Sequence, residues 1–247
     1  MPPNFNDLSP PERIDVVEAP KDNVVTQEIV PSNVGIKAVR SFATLLTHIL
    51  IGIIVGVSLF FSLRNGTPLG ATPQHVILCV IGYQFLMAEA ILTLAPDSWV
   101  ASLSLKHRRW VHTGLQIIGS VLAIVGSFIK MADKEVNFNT LHGKFGLAAV
   151  VFTSVSLVNG CASLYAYELR KCIPGILSKL THICFGTVAF VMASVCLCYG
   201  IDKGSFRNAL STRFADSLII MTGTLTTIVI INPLLTFYVK FSGAIKN

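Results

Sequence analysis

Residues 74–94 read QHVILCVIGYQFLMAEAILTL. Apart from the histidine near its start and the glutamate near its end, nothing in this run is acidic or basic enough to carry charge near neutral pH, and it is long enough to cross a bilayer at ~20 residues per helix. A membrane helix rarely keeps an ionisable side chain without a use for it. The pattern repeats: spans at about 110–129, 141–165 and 179–200 each carry one histidine near the N-terminal end, so that His75, His112, His142 and His182 mark four consecutive spans. Two further apolar blocks, about 42–63 and 217–239, flank the four.

The composition agrees with this reading. Of 247 residues, 52% are hydrophobic and 13% charged, with a mean hydropathy of +0.66, whereas a soluble domain carries roughly a quarter charged residues. The expected fold is therefore an all-α integral membrane protein of six transmembrane helices. The net charge of +6 does not point to nucleic acid, because the basic residues lie in loops beside apolar spans and no aromatic-interleaved basic patch accompanies them. The six cysteines (Cys79, Cys161, Cys172, Cys184, Cys196, Cys198) lack zinc-knuckle spacing, and all but Cys172 fall within spans, where cysteine behaves as a small apolar residue. No disulfide framework is expected.

Residues 1–40 are polar and proline-rich and lack the basic start, short apolar run and cleavage site of a signal peptide. They read as a disordered cytosolic tail, followed by a membrane domain at 41–240 and a cytosolic C-terminus at 241–247. Counting lysine and arginine in the flanks gives ten on the side of the N-terminus and seven opposite, the latter diluted by Asp133, Glu135, Asp202 and Asp216. By the positive-inside rule both termini are cytosolic. The polar stretch 201–216 is expected to be partly ordered, and Asn232-Pro233 to kink the last span.

Successive spans run in opposite directions, so depth follows from position. His75 and His142 begin spans that start on the far side; His112 and His182 begin spans that start on the cytosolic side. The histidines thus fall into two pairs on the order of 20 Å apart. A zinc or di-iron site needs three or four ligands at one depth, whereas two imidazoles on facing helices meet the axial demand of a six-coordinate haem iron. Gly82, Gly119, Gly146 and Gly186 lie one or two turns beyond the four histidines on the same faces. This reads either as room for a porphyrin or as close helix packing. His48 has no histidine-bearing partner and His107 lies in a loop; neither is expected to be a ligand.

The stretches Thr72-Pro73-Gln74-His75, Met87-Ala88-Glu89-Ala90-Ile91-Leu92, His112-Thr113-Gly114-Leu115-Gln116, Leu141-His142-Gly143-Lys144-Phe145-Gly146 and Lys179-Leu180-Thr181-His182 resemble the cytochrome b561 family, and within it the short branch of cytochrome b561 domain-containing proteins. The resemblance covers about residues 40–240. It implies that spans two to five form a four-helix core binding two haem b groups, His75 with His142 and His112 with His182. It implies oxidation of cytosolic ascorbate and reduction of monodehydroascorbate radical or ferric iron on the opposite, lumenal side. It also points to a homodimer and to the endoplasmic reticulum or vesicle membranes. Two departures from the ascorbate-oxidising branch are visible: Leu92-Thr93-Leu94-Ala95-Pro96 stands where that branch has an arginine-containing run, and Leu141-His142-Gly143-Lys144 where it has Leu-His-Ser-Trp.

An anionic donor needs cations near the cytosolic pair. Lys106, Arg108 and Arg109 precede His112, and Lys179 precedes His182. They serve either to hold ascorbate or haem propionates by charge-assisted hydrogen bonds, or as topology signals. Lys130, Lys134 and Lys144 stand in the same position on the far side. Glu89, at about the depth of the cytosolic pair, and Gln116, one turn after His112, are candidates to hydrogen-bond a ligand's second nitrogen; Glu89 would otherwise accept a proton or pair with a basic loop residue. The competing class is a cofactor-free proton or metal-ion transporter, which would place its histidines nearer the midplane and break its helices there.

Overall fold

The computed structural model describes residues 34–165, 168–171 and 174–246. The expected tail at residues 1–33 and the placement of Cys172 lie outside the described residues. Six helices are long and apolar enough to span a bilayer: α1 (Val34–Leu63), α2 (Ala71–Thr93), α3 (Leu105–Ala132), α4 (Leu141–Leu164), α5 (Gly175–Ile201) and α7 (Thr212–Lys246). The short α6 (Gly204–Leu210) lies between the last two. Among the described residues there is no strand. The protein is an all-α, multi-pass integral membrane protein.

The helices overrun the expected spans at most ends. Residues 34–40, assigned to the tail by composition, are the first turns of α1, and 241–246 continue α7, which runs unbroken past Pro233. Helix α3 starts at Leu105 because the Ser104 hydroxyl caps it, accepting from the His107 amide at 3.5 Å; Thr140 caps α4 by accepting from Gly143 N at 3.2 Å. The stretch 201–216 is ordered around Arg207, whose guanidinium reaches Asp202 Oδ1 at 2.6 Å and Asp216 Oδ1 at 2.7 Å.

Large apolar side chains such as Val39, Phe42, Phe60, Val158 and Ile220 point outward. An apolar exterior of this extent suits hydrocarbon as solvent. Inside, small residues bring the backbones together: Ala88, Ala90, Ala123 and Ala149 are almost completely buried, as expected where apolar burial alone does not drive helix association. The closest approach is between α2 and α3. A Cβ on Gly82 would lie 2.6 Å from the Gly119 carbonyl oxygen and 2.9 Å from Ala123 N. At the same level, residues Val80–Met87 of α2 are wound as a π-helix, a geometry that recurs at functional sites. Helix α1 joins the interior through Leu50, Ile51, Ile54 and Phe61.

Candidate functional site: two facing pairs of histidines

Histidines separated by 67 and 70 positions in sequence come face to face. His75 on α2 and His142 on α4 have ring centroids 6.0 Å apart and planes at 85°; His112 on α3 and His182 on α5 have centroids 6.1 Å apart and planes at 89°. In each case one nitrogen is fixed by backbone. His75 Nδ1 lies 2.9 Å from Gly126 O, His112 Nδ1 2.8 Å from Ala90 O, His142 Nδ1 2.8 Å from Cys196 O and His182 Nδ1 3.0 Å from Ser156 O. A carbonyl oxygen only accepts, so each Nδ1 carries the proton and each Nε2 keeps its lone pair. This is the tautomer and the carbonyl support that metal-ligating histidines use.

The rings need space, and glycine supplies part of it from the facing helix. A Cβ on Gly200 would stand 3.2 Å from His142 Cε1, and one on Gly160 3.1 Å from His182 Cε1. Neither was singled out in the sequence. The four glycines that were do different jobs: Gly82 and Gly119 pack backbone to backbone, Gly186 packs on the Ser156 hydroxyl, and Gly146 lines the far-side cavity beside Cys196.

That cavity surrounds His75 and His142 and holds ≈ 1360 Å³ of non-atom space including its open mouth. Val76, Val80, Leu147 and Val150 supply apolar wall, while Lys130, Lys134 and Lys203 stand among its lining. Lys130 donates to Thr72 Oγ1 at 2.8 Å and to Asp133 Oδ2 at 2.6 Å. Among the described residues Lys134 and Lys203 have no ion-pair partner. The Lys203 ammonium is pushed below the ordinary lysine range, first by burial, then by Lys134 and, more weakly, Lys130. Sequence reading passed over Lys203 because it sits in a loop far along the chain from His75. Lys144 is exposed and does not line the cavity.

At the other end of the bundle, towards His112 and His182, Lys106, Arg109 and Lys179 are exposed. Arg108 is not: its Nε donates to Thr93 O at 2.8 Å and its Nη2 to Ala95 O, closing the C-terminal end of α2. Glu89 hydrogen-bonds none of the paired histidines; its partners are His48 Nδ1 at 2.8 Å and Trp99 Nε1 at 3.0 Å. Gln116 makes no side-chain hydrogen bond among the described residues, so the nitrogens these two were candidates to support are held by backbone carbonyls instead. His107 is occupied by Ser104, at 2.9 Å. Midway along α2, Tyr83 Oη meets Thr153 Oγ1 at 3.1 Å and Gln84 Nε2 reaches Ser194 Oγ at 3.3 Å. Among the described residues the buried Gln84 Oε1 has no hydrogen-bond partner.

Residues 74–207 match the family model for eukaryotic cytochrome b561. This chain belongs to the cytochrome b561 family. Curated relatives include the transmembrane reductase CYB561D2 of Mus musculus and that of Homo sapiens. Each is 29% identical over 209 residues, covering 82% of this chain and 91% of the relative; the Bos taurus protein is 28% identical over the same share. A cytochrome b561 implies b-type haem, and the residues present fit one. Two imidazole nitrogens each about 2 Å from one metal place the ring centroids about 6 Å apart, which is the spacing within both pairs. Among the described residues no three of His, Cys, Asp or Glu converge as a metal site, so two-ligand axial coordination is the chemistry this donor set suits.

Proposed function

We propose that this cytochrome b561 is a transmembrane oxidoreductase with one haem b held by His75 and His142 and a second by His112 and His182. It takes electrons from cytosolic ascorbate and delivers them to monodehydroascorbate radical or ferric iron on the lumenal side. The observation that carries the reading is the paired imidazoles at 6.0 and 6.1 Å with every Nδ1 spent on a carbonyl. The transmembrane reductase CYB561D2 relatives support the activity class.

The bound haem supplies reversible one-electron chemistry; the protein supplies ligation, spacing and docking. The carbonyl-anchored imidazoles hold their planes and lone pairs before the cofactor arrives, so little reorganisation accompanies its binding. Two histidines on one haem would leave no open position for a further ligand, which suits electron transfer over oxygen chemistry. Lys106, Arg109 and Lys179 present cations to an ascorbate anion at the cytosolic face, whereas Arg108 is already engaged. At the other face Lys130, Lys134 and Lys203 line the cavity, with Lys144 exposed outside it, ready for an anionic acceptor or the propionates. A proton- or metal-ion transporter would need its imidazoles to exchange partners, and four carbonyl anchors work against that. Both termini are cytosolic in this reading, and the membrane is that of the endoplasmic reticulum or vesicles.

The deciding measurement is the visible spectrum of the purified protein. Dithionite should produce a sharp b-type α-band equivalent to two haems per chain, and ascorbate at least part of it. His112→Ala and His182→Ala should each remove the cytosolic haem and with it reduction by ascorbate. Full haem content in those variants refutes the ligand assignment.

A further inference from the structure

Glu89 lies deep in α2 with both carboxylate oxygens occupied. His48 Nδ1 on α1 is 2.8 Å from Oε1, and Trp99 Nε1, from the segment between α2 and α3, donates to Oε2 at 3.0 Å. The next residue is Ala90, whose carbonyl accepts from His112 Nδ1 at 2.8 Å. Glu89 is therefore the neighbour in sequence of the residue whose carbonyl anchors one member of the His112–His182 pair. An intramembrane carboxylate is expensive and calls for a function. With its Nδ1 proton shared with Glu89, His48 retains a lone pair on Nε2, and its side chain is 36% exposed while that of Glu89 is 11% exposed.

Ascorbate monoanion becomes the ascorbyl radical anion by giving up one electron and one proton, so its oxidation needs a base as well as an electron acceptor. The paired histidines are poorly placed to be that base: each Nδ1 proton is already on a carbonyl, and in the reading above each Nε2 is the nitrogen that would bind iron. Lys106, Arg109 and Lys179 hold an anion but, as cations, have no lone pair to offer. The charged and titratable groups around Glu89 are otherwise engaged. Arg40 on α1 pairs with Asp97 at 3.9 Å, Arg108 on α3 is bound to the Thr93 and Ala95 carbonyls, and His112 is held by Ala90. Two unpaired histidines stand towards this face: His107 meets only the Ser104 hydroxyl, at 2.9 Å, whereas His48 is oriented by a carboxylate, at 2.8 Å, and so is the better base.

We propose that His48, oriented by Glu89, accepts the proton that ascorbate loses as its electron enters at the His112–His182 level. This rests on the two-haem, ascorbate-fed reading above. The remaining enediol O–H bond of the monoanion breaks. Its proton goes to His48 Nε2, its electron reduces the cytosolic haem from ferric to ferrous, and the radical anion leaves. The His48–Glu89 pair changes from net negative to a neutral imidazolium–carboxylate pair as negative charge arrives beside it, so the total charge of the site is unchanged and the electron is not opposed by a buried anion. Onward transfer of the electron would reverse the bias and release the proton from His48 Nε2. Trp99, by occupying Oε2, keeps Oε1 aimed at the imidazole.

The test uses the full-length holoprotein with labelled histidine. Redox-difference infrared spectra, with the haems reduced at an electrode so that no ascorbate is needed, should show one histidine becoming imidazolium. The signal should vanish in His48→Gln and Glu89→Gln while both haems remain bound. With ascorbate as donor, wild-type haem reduction should show a solvent isotope effect, and His48→Gln should be slower by about 100-fold, the usual worth of a general base; reduction by dithionite should change little. Absence of the imidazolium signal in wild type, its persistence in His48→Gln, or an unaltered ascorbate rate in that variant overturns the proposal. If ascorbate fails to reduce even the wild type, the donor assignment falls, and the infrared result still judges the pair on its own.

Discussion

At the scale of single residues, all four paired imidazoles are held by a backbone carbonyl, and one of each pair, His142 and His182, is closely faced by a glycine, which makes the two sites separable by mutation. A Cβ on Gly200 meets His142 Cε1 at 3.2 Å and one on Gly160 meets His182 Cε1 at 3.1 Å, so a β-branched side chain has to displace the ring. If each pair holds a haem as proposed, Gly200→Val is expected to lose the one at His75–His142 and retain the one at His112–His182, and Gly160→Val the reverse, read as loss of about half the α-band with a single remaining midpoint in a redox titration. Equal loss of both haems from either variant would mean that the glycines support the fold and not a particular ring. The histidines themselves were legible in the sequence because a lone imidazole in an apolar run stands out. Their support was not. A backbone carbonyl has no residue signature, Gly160 and Gly200 each lie on the helix facing the histidine they serve, and the His48–Glu89 contact joins positions 41 apart in sequence.

At the scale of elements, hydropathy located all six spanning helices but not their ends, since a capping hydroxyl such as Ser104 or a mildly apolar lead-in such as residues 34–40 changes the mean little. The π-wound turn at Val80–Met87 left no mark in the pattern at all. Its neighbourhood is where α2 and α3 touch, and there the glycine is structural. Gly82→Ala drives a Cβ to 2.6 Å from the Gly119 carbonyl and 2.9 Å from Ala123 N. Backbone cannot swing aside as a side chain does, so the helices must separate, at a cost of about 1–3 kcal/mol. The expected result is a clearly lower Tm in detergent. Gly223→Ala on α7, where a Cβ would meet nothing within 4 Å, should leave Tm unchanged or slightly raised, because alanine is the better helix former. If both variants melt like wild type, the α2–α3 contact tolerates more slack than its geometry implies.

At the scale of the whole molecule, the two faces differ in how their cations are committed. At the His112–His182 face one cation of the cluster, Arg108, is used to close a helix end, and the others are exposed. At the His75–His142 face Lys134 and Lys203 share a cavity lining without a carboxylate, and their mutual repulsion, added to burial, depresses Lys203. Removing one of two crowded cations relieves that repulsion but leaves an anion less to bind. In vesicles containing ascorbate with the cytosolic face inward, reduction of an external anionic ferric chelate should fall several-fold in Lys203→Gln and further in the Lys134→Gln, Lys203→Gln double variant. Reduction of the cytosolic haem by the trapped ascorbate should be unaffected. The same chelate should be reduced more slowly as salt is raised, because charges at an open mouth are screened over about 10 Å at ~0.1 M, and the double variant should lose most of that salt dependence. A cationic iron complex should show the opposite response to both changes. If instead the lysine variants lose the lumenal haem, these ammoniums grip the propionates, and the acceptor must dock elsewhere on that face.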